Sequence, residues 1–434
     1  MTDTSTSASP DSGSHPPLSR IASCIDGYDP DALPVAAAQA LVTGFVQPVR
    51  TVERCPLTSA LGRVLAEDVV SAIDVPAHDN SAMDGFAVRS ADLAAHGDTV
   101  LRVAGTALAG RPFAGAAGPG EAVRVMTGAV MPSGTDTVVI QEAVRTDGDR
   151  LTVPGGQQPG QNTRARGEDL AVGQVALPAG RVLRPADLGL LASLGIGELA
   201  VRRRLRVAFF STGDELRSIG QPLPPGCVYD SNRYTIRAML QRMGVDAIDL
   251  GVVPDHPEAL EAAMTQAAAG ADAVVSSGGV SVGEADYTRA LMARLGDVEF
   301  WRIAMRPGRP MAFGRVGGAY YFGLPGNPVA VMVTFYFIVR AALLALSGAG
   351  TGGPPLVRVR SASAFRKKPG RTEYQRAVLR AGVDGVLEAR ITGQQGSGVL
   401  SSMSLADCIV VLHHEQGSVA PGDPVDALLF EGLI

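Results

Sequence analysis

The chain has 434 residues, 38 of them basic and 43 acidic, for a net charge of −5 at pH 7; 46% are hydrophobic and 19% charged. This apolar content suffices for the cores of roughly two to four domains and excludes a globally disordered chain. The mild acidity excludes a broad nucleic-acid-binding surface, since such surfaces rest on clustered Lys and Arg. The 52 glycines and 29 prolines predict many turns and backbone-lined loops.

The cysteines and histidines indicate no metal site. The four cysteines form no CxxC pair, and the six histidines show no HExxH spacing. Scattered thiols are typical of a reducing compartment, and the N-terminus lacks the basic and apolar regions of an export signal. We therefore expect a cytoplasmic protein.

The predicted elements divide the chain into four stretches. Residues 1–33 are rich in Ser, Thr and Pro without apolar periodicity, which predicts a disordered tail, and a helix is expected from Pro34. Residues 49–200 contain short β-type runs between Gly/Pro turns. In residues 201–347, strands alternate with helical patterns, as in a mainly parallel, doubly wound sheet. Short strands in residues 348–434 predict a small β-barrel or sandwich.

An uncharged stretch at residues 316–339 is long enough to span a membrane. Pro325, Gly326, Asn327 and Pro328 interrupt its centre, and Asn-Pro is a typical helix start. We interpret the stretch as a strand, a tight loop and a buried helix, and expect no membrane span.

Acidic residues follow several of the predicted strands. Open parallel sheets bind ligands beyond the carboxyl ends of their strands, so we expect Glu215, Asp255, Asp286 and Arg306 to converge at one edge. Each acid alone is equally well explained as the cap of a following helix. Together they favour a divalent-cation site, because hard oxygen ligands suit Mg²⁺.

Three loops have the composition of anion-binding sites. The glycines of SSGGVSVGEAD (276–286) allow an anion nest, although plain turn chemistry is the common explanation of such a loop. Arg302, Arg306 and Arg309 lie near Pro and Gly; a solvated face is the alternative, but stiff guanidinium groups suit a tetrahedral oxyanion. LPGNP (324–328) begins a helix whose free N–H groups face the same edge.

Ten motifs follow one another along the chain: PAHDNSAMDGFAV (76–88), VMTGAVMP (125–132), RARGED (164–169), FSTGDEL (210–216), YDSNR (229–233), SSGGVSVGEADYT (276–288), RPGRPMAFG (306–314), GLPGNPV (323–329), PGRTEYQR (369–376) and GQQGS (393–397). In this order they resemble the molybdopterin molybdenumtransferases, which include bacterial MoeA, the plant Cnx E-domains and the gephyrin E-domain. The resemblance runs from about residue 34 to the C-terminus.

The resemblance implies an α/β multidomain fold. Its parts would be a doubly wound αβα molybdopterin-binding domain, a β-rich insertion domain, an extended hinge domain and a C-terminal small β-barrel. The implied boundaries are 1–33 for the tail, 34–75 for the N-terminal helix and the first part of the hinge, 76–163 for the β-rich domain, 164–200 for the second part of the hinge, 201–350 for the αβα domain and 351–434 for the barrel.

The resemblance also implies a reaction. The enzyme would cleave adenylated molybdopterin, release AMP and insert molybdate into the dithiolene to form molybdenum cofactor, with Mg²⁺ as the cofactor. The family forms homodimers with a site between domains of two subunits. Further partners would be the adenylyltransferase of the same pathway or a scaffold partner.

Site residues are implied by matching positions. Catalytic roles fall to Asp84, Thr127, Glu215, Asp255 and Asp286, the last three as Mg²⁺ ligands. An oxyanion pocket would include groups from the C-terminal barrel. The residues implied in substrate binding are Asp169, Ser276, Gly278, Gly279, Ser281, Arg302, Arg306, Pro307, Pro325, Asn327, Pro328, Arg376 and Ser397.

The chain departs from the family pattern at two places. Arg302, Arg306 and Arg309 stand where lysines are common, and Ala330 stands where a serine often follows GNPV. Arg and Lys are not equivalent ligands, so these changes bear on molybdate affinity and on tungstate preference. One alternative is a gephyrin-like scaffold with weakened catalysis. Another is the preceding adenylyltransferase step, whose stand-alone enzymes lack the β-rich insertion and the barrel.

Overall fold

A computed structural model describes the backbone of residues 17–23, 28–279, 285–350 and 352–431, with the side chains of 285–287 excepted. The chain forms two compact units. The first comprises residues up to 53, 62–64 and those from 202 onward, and the second comprises 54–61 and 65–201.

A short helix, α1 (Leu18–Ser23), lies within the predicted tail. Leu18 and Ala22 are fully buried, and the Leu18 N–H donates to Asp297 at 2.6 Å. Leu33 is also fully buried. A disordered tail is therefore wrong for residues 17–23 and 28–33, because their few apolar side chains enter a core without any periodic pattern.

The second helix, α2 (Val35–Phe45), belongs to the first unit. Its buried face, with Ala38, Leu41 and Val42, packs into the core of that unit. Its apolar face is therefore covered by the αβα part of the chain.

The β-rich stretch contains many short strands and one helix. Six of the strands form a sheet in the order β7-β4-β6-β5-β9-β8, in which β5 and β6 are parallel and the other pairs antiparallel. Strand β2 pairs with β11 and β3 with β10, both antiparallel. The elements are β1 (Val52–Pro56), β2 (Val69–Val70), β3 (Asn80–Ser81), β4 (Gly85–Val88), β5 (Thr99–Ala107), β6 (Glu121–Val125), β7 (Thr137–Ile140), β8 (Arg145–Asp147), β9 (Arg150–Val153), β10 (Thr163–Arg164), β11 (Val175–Leu177), α3 (Pro185–Ser193) and β12 (Glu198–Arg202).

The αβα part of the first unit follows the predicted alternation. Its elements are β13 (Arg206–Thr212), β14 (Leu216–Arg217), β15 (Val228–Tyr229), α4 (Ser231–Arg242), β16 (Asp246–Val253), α5 (Pro257–Gly270), β17 (Ala273–Ser277), α6 (Ala285–Leu295), β18 (Gly296–Arg302), β19 (Met305–Arg306), β20 (Pro310–Val316), β21 (Ala319–Leu324), α7 (Pro328–Thr334) and α8 (Arg340–Ser347). Six strands form a sheet in the order β16-β13-β17-β21-β20-β18. The first four are parallel, and β20 is antiparallel to both of its neighbours.

One helical stretch, Pro328–Ser347, has the length and hydropathy of a membrane span. A π-helical turn, Phe335–Val339, joins α7 to α8 within it. About two-thirds of its most apolar window is buried inside the protein, where Val331, Ile338 and Leu343 are fully covered. This burial is what a core helix requires, as the sequence predicted.

The C-terminal stretch closes into a small barrel. The strands pair in the ring β23-β24-β22-β26-β25, and β25 returns to β23. The α/β multidomain fold with a C-terminal barrel is thus confirmed. The elements are β22 (Val357–Ser361), β23 (Thr372–Ala381), β24 (Leu387–Ile391), α9 (Ser401–Ser404), β25 (Cys408–Leu412) and β26 (Pro424–Leu429).

Candidate active site

The loops expected to bind ligands do lie along one edge of the six-stranded sheet. The parallel strands β13, β16, β17 and β21 end there. Strand β18 is two antiparallel steps from β21 and therefore runs in the same direction, so the RPGRP loop follows its carboxyl end. Arg302, at the end of β18, thus belongs to this edge.

The acids and the arginines lie at opposite ends of this edge. Strand β16 is outermost on one side and β18 on the other. Five strand spacings separate them, which is about 24 Å at the usual spacing between neighbouring strands. Glu215, Asp255 and Arg306 therefore follow strands that end at one edge, as expected, but the acids and the arginine lie toward its opposite ends.

At the acidic end, the loops after β13 and β16 contact each other. Asp255 accepts the Thr212 hydroxyl at 3.3 Å, and its own N–H donates to the Asp214 carboxylate at 3.2 Å. The Glu215 carboxylate lies against Gly213, close enough that a Cβ there would meet Glu215 Oε2 at 2.7 Å. Two carboxylates thus lie on adjacent loops at this end of the edge.

A three-ligand metal site is not formed by the described residues alone. Within the part of the chain whose side chains are described, no group of three or more His, Cys, Asp or Glu is arranged to hold a metal. The side chain of Asp286, the third expected ligand, lies outside those residues, as does Ser281. Glu215 and Asp255 have the hard oxygen donors that Mg²⁺ prefers.

The glycine-rich loop after β17 requires glycine at its start. Gly278 and Gly279 have φ of +96° and +69°, in the left-handed region. A Cβ on Gly278 would overlap the carbonyl oxygen of Thr212, at the end of the neighbouring strand β13. The Gly278 N–H donates to Leu324 O at 3.1 Å, which ties the loop to β21.

Ser276 does not face this loop's surface. Its side chain is buried and its hydroxyl lies 2.8 Å from the hydroxyl of Tyr321. Burial raises the pKa of Tyr321 to about 12. The Ser276 side chain therefore lies in the core, since β17 is buried on both faces, and its role in substrate binding stays a prediction.

The YDSNR motif contributes a buried amide and a helix cap, roles that its sequence did not indicate. Asn232, in α4, is buried and donates through Nδ2 to Ser277 Oγ at 2.8 Å and to Gly326 O at 2.6 Å. Asp230 caps α4 by accepting the Arg233 N–H at 3.1 Å. Asn232 therefore holds the glycine-rich loop and the LPGNP loop together.

The LPGNP loop starts α7, and the barrel covers the start. Asn327 is the N-cap and Pro328 the first helical residue, as predicted. The Val329 N–H donates to the backbone oxygen of Ser397 at 3.0 Å. One of the free N–H groups of α7 is thus occupied by the GQQGS loop. The structure brings Ser397 to α7 through its backbone; Pro325 is buried.

Arg376 has a structural position. It is 1% exposed, and its guanidinium donates to Ser402 Oγ at 3.0 Å and to the carbonyls of Gln394, Gln395 and Gly396 at 3.4, 3.3 and 3.0 Å. Burial, together with the charge of Arg306, lowers the pKa of Arg376 to about 10. The guanidinium thus holds the GQQGS loop from inside, and its assignment to the oxyanion pocket stays a prediction.

A basic cavity of about 360 Å³ lies where the RPGRP loop meets the barrel. Arg309, Lys368 and Arg371 line it, together with Ala32 from the segment before α2. Arg371 donates to the buried Glu373 at 2.8 Å. The sequence did not single out Lys368 or Arg371; Arg371 stands in the PGRTEYQR motif (369–376), whose first three residues line the cavity, and Lys368 directly precedes it.

The neighbouring expected residues surround this cavity without lining it. Arg302 Nε lies 3.7 Å from Asp31 Oδ1. Arg306 is exposed and pairs through its backbone with β23, and Pro307 is buried. The RPGRP loop therefore presents Arg309 to the cavity, with Arg302 and Arg306 beside it.

The second unit contains its own pair of expected residues. Asp84 Oδ1 accepts the Thr127 N–H at 2.7 Å and the Thr127 hydroxyl at 2.8 Å. These bonds hold the pKa of Asp84 below its usual value, with the backbone N–H as the largest cause. The Asp169 side chain is exposed, while its N–H donates to Val75 O at 3.0 Å.

Family models match three consecutive parts of the chain. They are the MoeA N-terminal region (domain I and II) at residues 33–195, the probable molybdopterin binding domain at 208–345 and the MoeA C-terminal region (domain IV) at 358–430. Together these matches leave only the N-terminal segment, two short connections and the last residues unmatched.

Known proteins show the same likeness over nearly the whole chain. A molybdopterin molybdenumtransferase of Haemophilus influenzae is 43% identical, covering 87% of this chain and 94% of its own; one of Nostoc is 39% identical over 85% and 86%. The structure of a molybdopterin biosynthesis MoeA protein from Pyrococcus horikoshii superposes with a TM-score of 0.80 at 28% identity, covering 92% of this chain and 100% of that one. The chain therefore belongs to the MoeA family of molybdopterin molybdenumtransferases.

Proposed function

We propose that this protein inserts molybdate into adenylated molybdopterin and releases AMP, forming molybdenum cofactor. The observation that carries the proposal is the order of groups along one sheet edge. Carboxylates lie after β13 and β16, the glycine-rich loop follows β17, and the basic cavity adjoins the RPGRP loop. An extended substrate with a phosphoanhydride and a separate oxyanion-accepting group suits such an edge.

The basic cavity is proposed to take molybdate. Arg309 and Arg371 offer planar guanidinium groups, and Lys368 adds a third cation in a space of about 360 Å³. Guanidinium forks match the oxygens of a tetrahedral oxyanion, and rigid donors need little reorganisation when charge arrives. Glu373 neutralises part of this charge, so the cavity keeps a net positive charge without an anion bound.

The carboxylates are proposed to act on the phosphoanhydride. Asp255, oriented by the Thr212 hydroxyl, and Glu215 would hold Mg²⁺ together with Asp286. Bound Mg²⁺ would neutralise charge on the phosphate oxygens. The N–H groups of the loop at Gly278 and Gly279 would orient the substrate. Asn232 fixes that loop relative to the LPGNP loop by donating hydrogen bonds to both.

We further propose a cytoplasmic homodimer in which Asp84, Thr127 and Asp169 complete the site. The support for these assignments is the family resemblance of the motifs that contain them. A solution mass twice that of the 44.8 kDa chain is the expected result of light scattering. A monomer with full activity would contradict the shared site.

The direct test is release of AMP. The purified full chain is incubated with adenylated molybdopterin, molybdate and Mg²⁺, and AMP is separated and quantified. We expect AMP to appear only when all three are present. A folded protein that releases no AMP, and fails to restore molybdoenzyme activity in a strain lacking the transferase, would contradict the proposal and favour a scaffold.

A further inference from the structure

The segment 28–33, just before α2, is attached to the end of β18. The Arg302 N–H donates to Pro30 O at 2.6 Å, and the Leu33 N–H donates to Arg302 O at 3.1 Å. Trp301 Nε1 donates to the Tyr28 hydroxyl at 3.0 Å. These bonds hold the segment next to the strand that leads into the RPGRP loop.

Asp31 in this segment contacts two arginines. Its carboxylate lies 3.7 Å from Arg302 Nε, and its backbone oxygen accepts a bond from Arg309 Nη2 at 3.3 Å. The next residue, Ala32, lines the basic cavity. A carboxylate is thereby held at the cavity's border, next to the cations proposed to bind an oxyanion.

The turn around Asp31 has a defined conformation. Asp29 Oδ1 accepts the Asp31 N–H at 2.8 Å, which is a typical side-chain turn of Asp. The neighbouring Leu33 is fully buried and anchors the turn from its other side. The position of the Asp31 charge is therefore set by the fold of the segment.

The contact is too exposed to be a strong structural ion pair. The Asp31 side chain is 74% exposed and that of Arg302 is 42% exposed. Exposed pairs of this kind contribute little to folding stability, because water screens them. A negative charge beside an anion site does, however, oppose the binding of an anion, and a dianion feels this twice as strongly as a monoanion.

We propose that Asp31 is a built-in counter-anion: its carboxylate, paired with Arg302 at the border of the basic cavity, opposes the charge of an entering oxyanion and thereby lowers the affinity of the cavity. This inference rests on the proposed function, since it takes the cavity to bind molybdate. The segment lies before the region matched by the family models, apart from residue 33. The carboxylate pairs with Arg302, while the backbone oxygen of the same residue holds Arg309 at the cavity.

The test is molybdate binding to the full chain by isothermal titration calorimetry. Asp31→Asn removes the charge and keeps the shape. We expect it to bind molybdate about threefold more tightly than the unaltered protein at low ionic strength, a difference that shrinks when salt screens the charges. Asp147→Asn, at an exposed position of β8, is the matched control for net charge and is expected to change nothing.

Two outcomes separate the inference from the proposed function. If Asp31→Asn binds molybdate equally or more weakly while Arg309→Ala still reduces binding, the cavity stands and the counter-anion role is wrong. If the unaltered protein binds no molybdate, or Arg309→Ala binds as tightly as the unaltered protein, the proposed oxyanion cavity fails and the role of Asp31 fails with it.

Discussion

The two ends of the sheet edge are built differently. At the β16 end, Asp255 and Glu215 lie on loops of the αβα part and are oriented by one hydroxyl, one carboxylate and a glycine contact. At the β18 end, the cavity wall comes from three separated segments: residue 32, the RPGRP loop and the barrel. The difference teaches that the acids can be located from local sequence, whereas the basic cavity exists only when distant segments meet.

The basic end also uses two cations for structure. Lys367 is buried, and its ammonium group donates to the carbonyls of Lys368, His414 and Gln416 at 3.3, 3.0 and 2.6 Å. Arg376 holds the GQQGS loop in the same way. Buried cationic side chains that already donate to several carbonyls are poorly placed to bind an anion. The exposed cationic side chains nearby are better candidates for anion binding. Residue type alone does not distinguish the two uses.

The largest expected effect comes from truncating the buried Arg376, which tests whether this side chain stabilises the fold. Arg376→Ala leaves several carbonyls without donors, so we expect the free energy of unfolding to fall by about 4 kcal/mol. Chemical denaturation followed by circular dichroism measures it. Arg366→Ala, at an exposed barrel position, is the control and should change stability little. An Arg376→Ala protein as stable as the control would show that the loop does not need this side chain.

The glycine-rich loop between the two ends should be nearly as sensitive. Gly278→Ala forces a left-handed φ on alanine and drives its Cβ into Thr212 O, so we expect a loss of about 3 kcal/mol in stability or a displaced loop without activity. Gly326→Ala is the control, since a Cβ there meets open space. Thermal unfolding and AMP release are the measurements, and equal behaviour of the two variants would contradict the tight loop.

The acidic end can be tested through magnesium. Asp255→Asn keeps the Thr212 contact and removes a charge, so we expect AMP release to fall roughly 100-fold and to require more Mg²⁺. Glu258→Gln, on the exposed first turn of α5, is the control. A Mg²⁺ titration of the initial rate distinguishes the two. An unchanged magnesium requirement in Asp255→Asn would remove this residue from the proposed cation site.

The basic end should show a smaller, binding-specific effect. Arg309→Ala removes one of three cations lining the cavity, so we expect about tenfold weaker molybdate binding with an unaltered unfolding temperature. Arg376→Ala, by contrast, is expected to lower the free energy of unfolding. Calorimetry with molybdate measures the affinity, and a loss of stability in Arg309→Ala would mean that this arginine also serves the fold.

The smallest expected effect concerns a carboxylate outside this edge. Thr127→Val removes the hydroxyl bond to Asp84 and leaves the stronger backbone bond, so the pKa of Asp84 should rise partway toward its usual value. Because the folded pKa is lowered, this pair stabilises the fold above the pKa of the unfolded state, and the stabilisation is lost as pH falls through the folded pKa. Carboxyl chemical shifts during an NMR titration report it, with Thr146→Val as the control.

Sequence reasoning located most elements and several contacts. The strand Asp246–Val253 and the helix start at Asn327-Pro328 follow directly from local pattern and capping chemistry. The sequence predicted a disordered tail because no local periodicity indicates that the Leu18 N–H bonds distant Asp297 and that Leu33 pairs with distant Ile303. For Arg376, the motif shows that an arginine is present but not which carbonyls surround it in the fold.

By itself the sequence determined the alternation of strands and helices, the helix start at Asn327-Pro328, and the order of motifs that places the chain in its family. These depend on side-chain periodicity, sterics and capping, which act over a few residues. Only the tertiary structure decided that the acids and the basic cavity lie at opposite ends of one edge, that Ser276 and Arg376 face inward, and that Asp31 borders the cavity. Burial and pairing between distant segments depend on how the whole chain packs, which the local sequence pattern does not indicate.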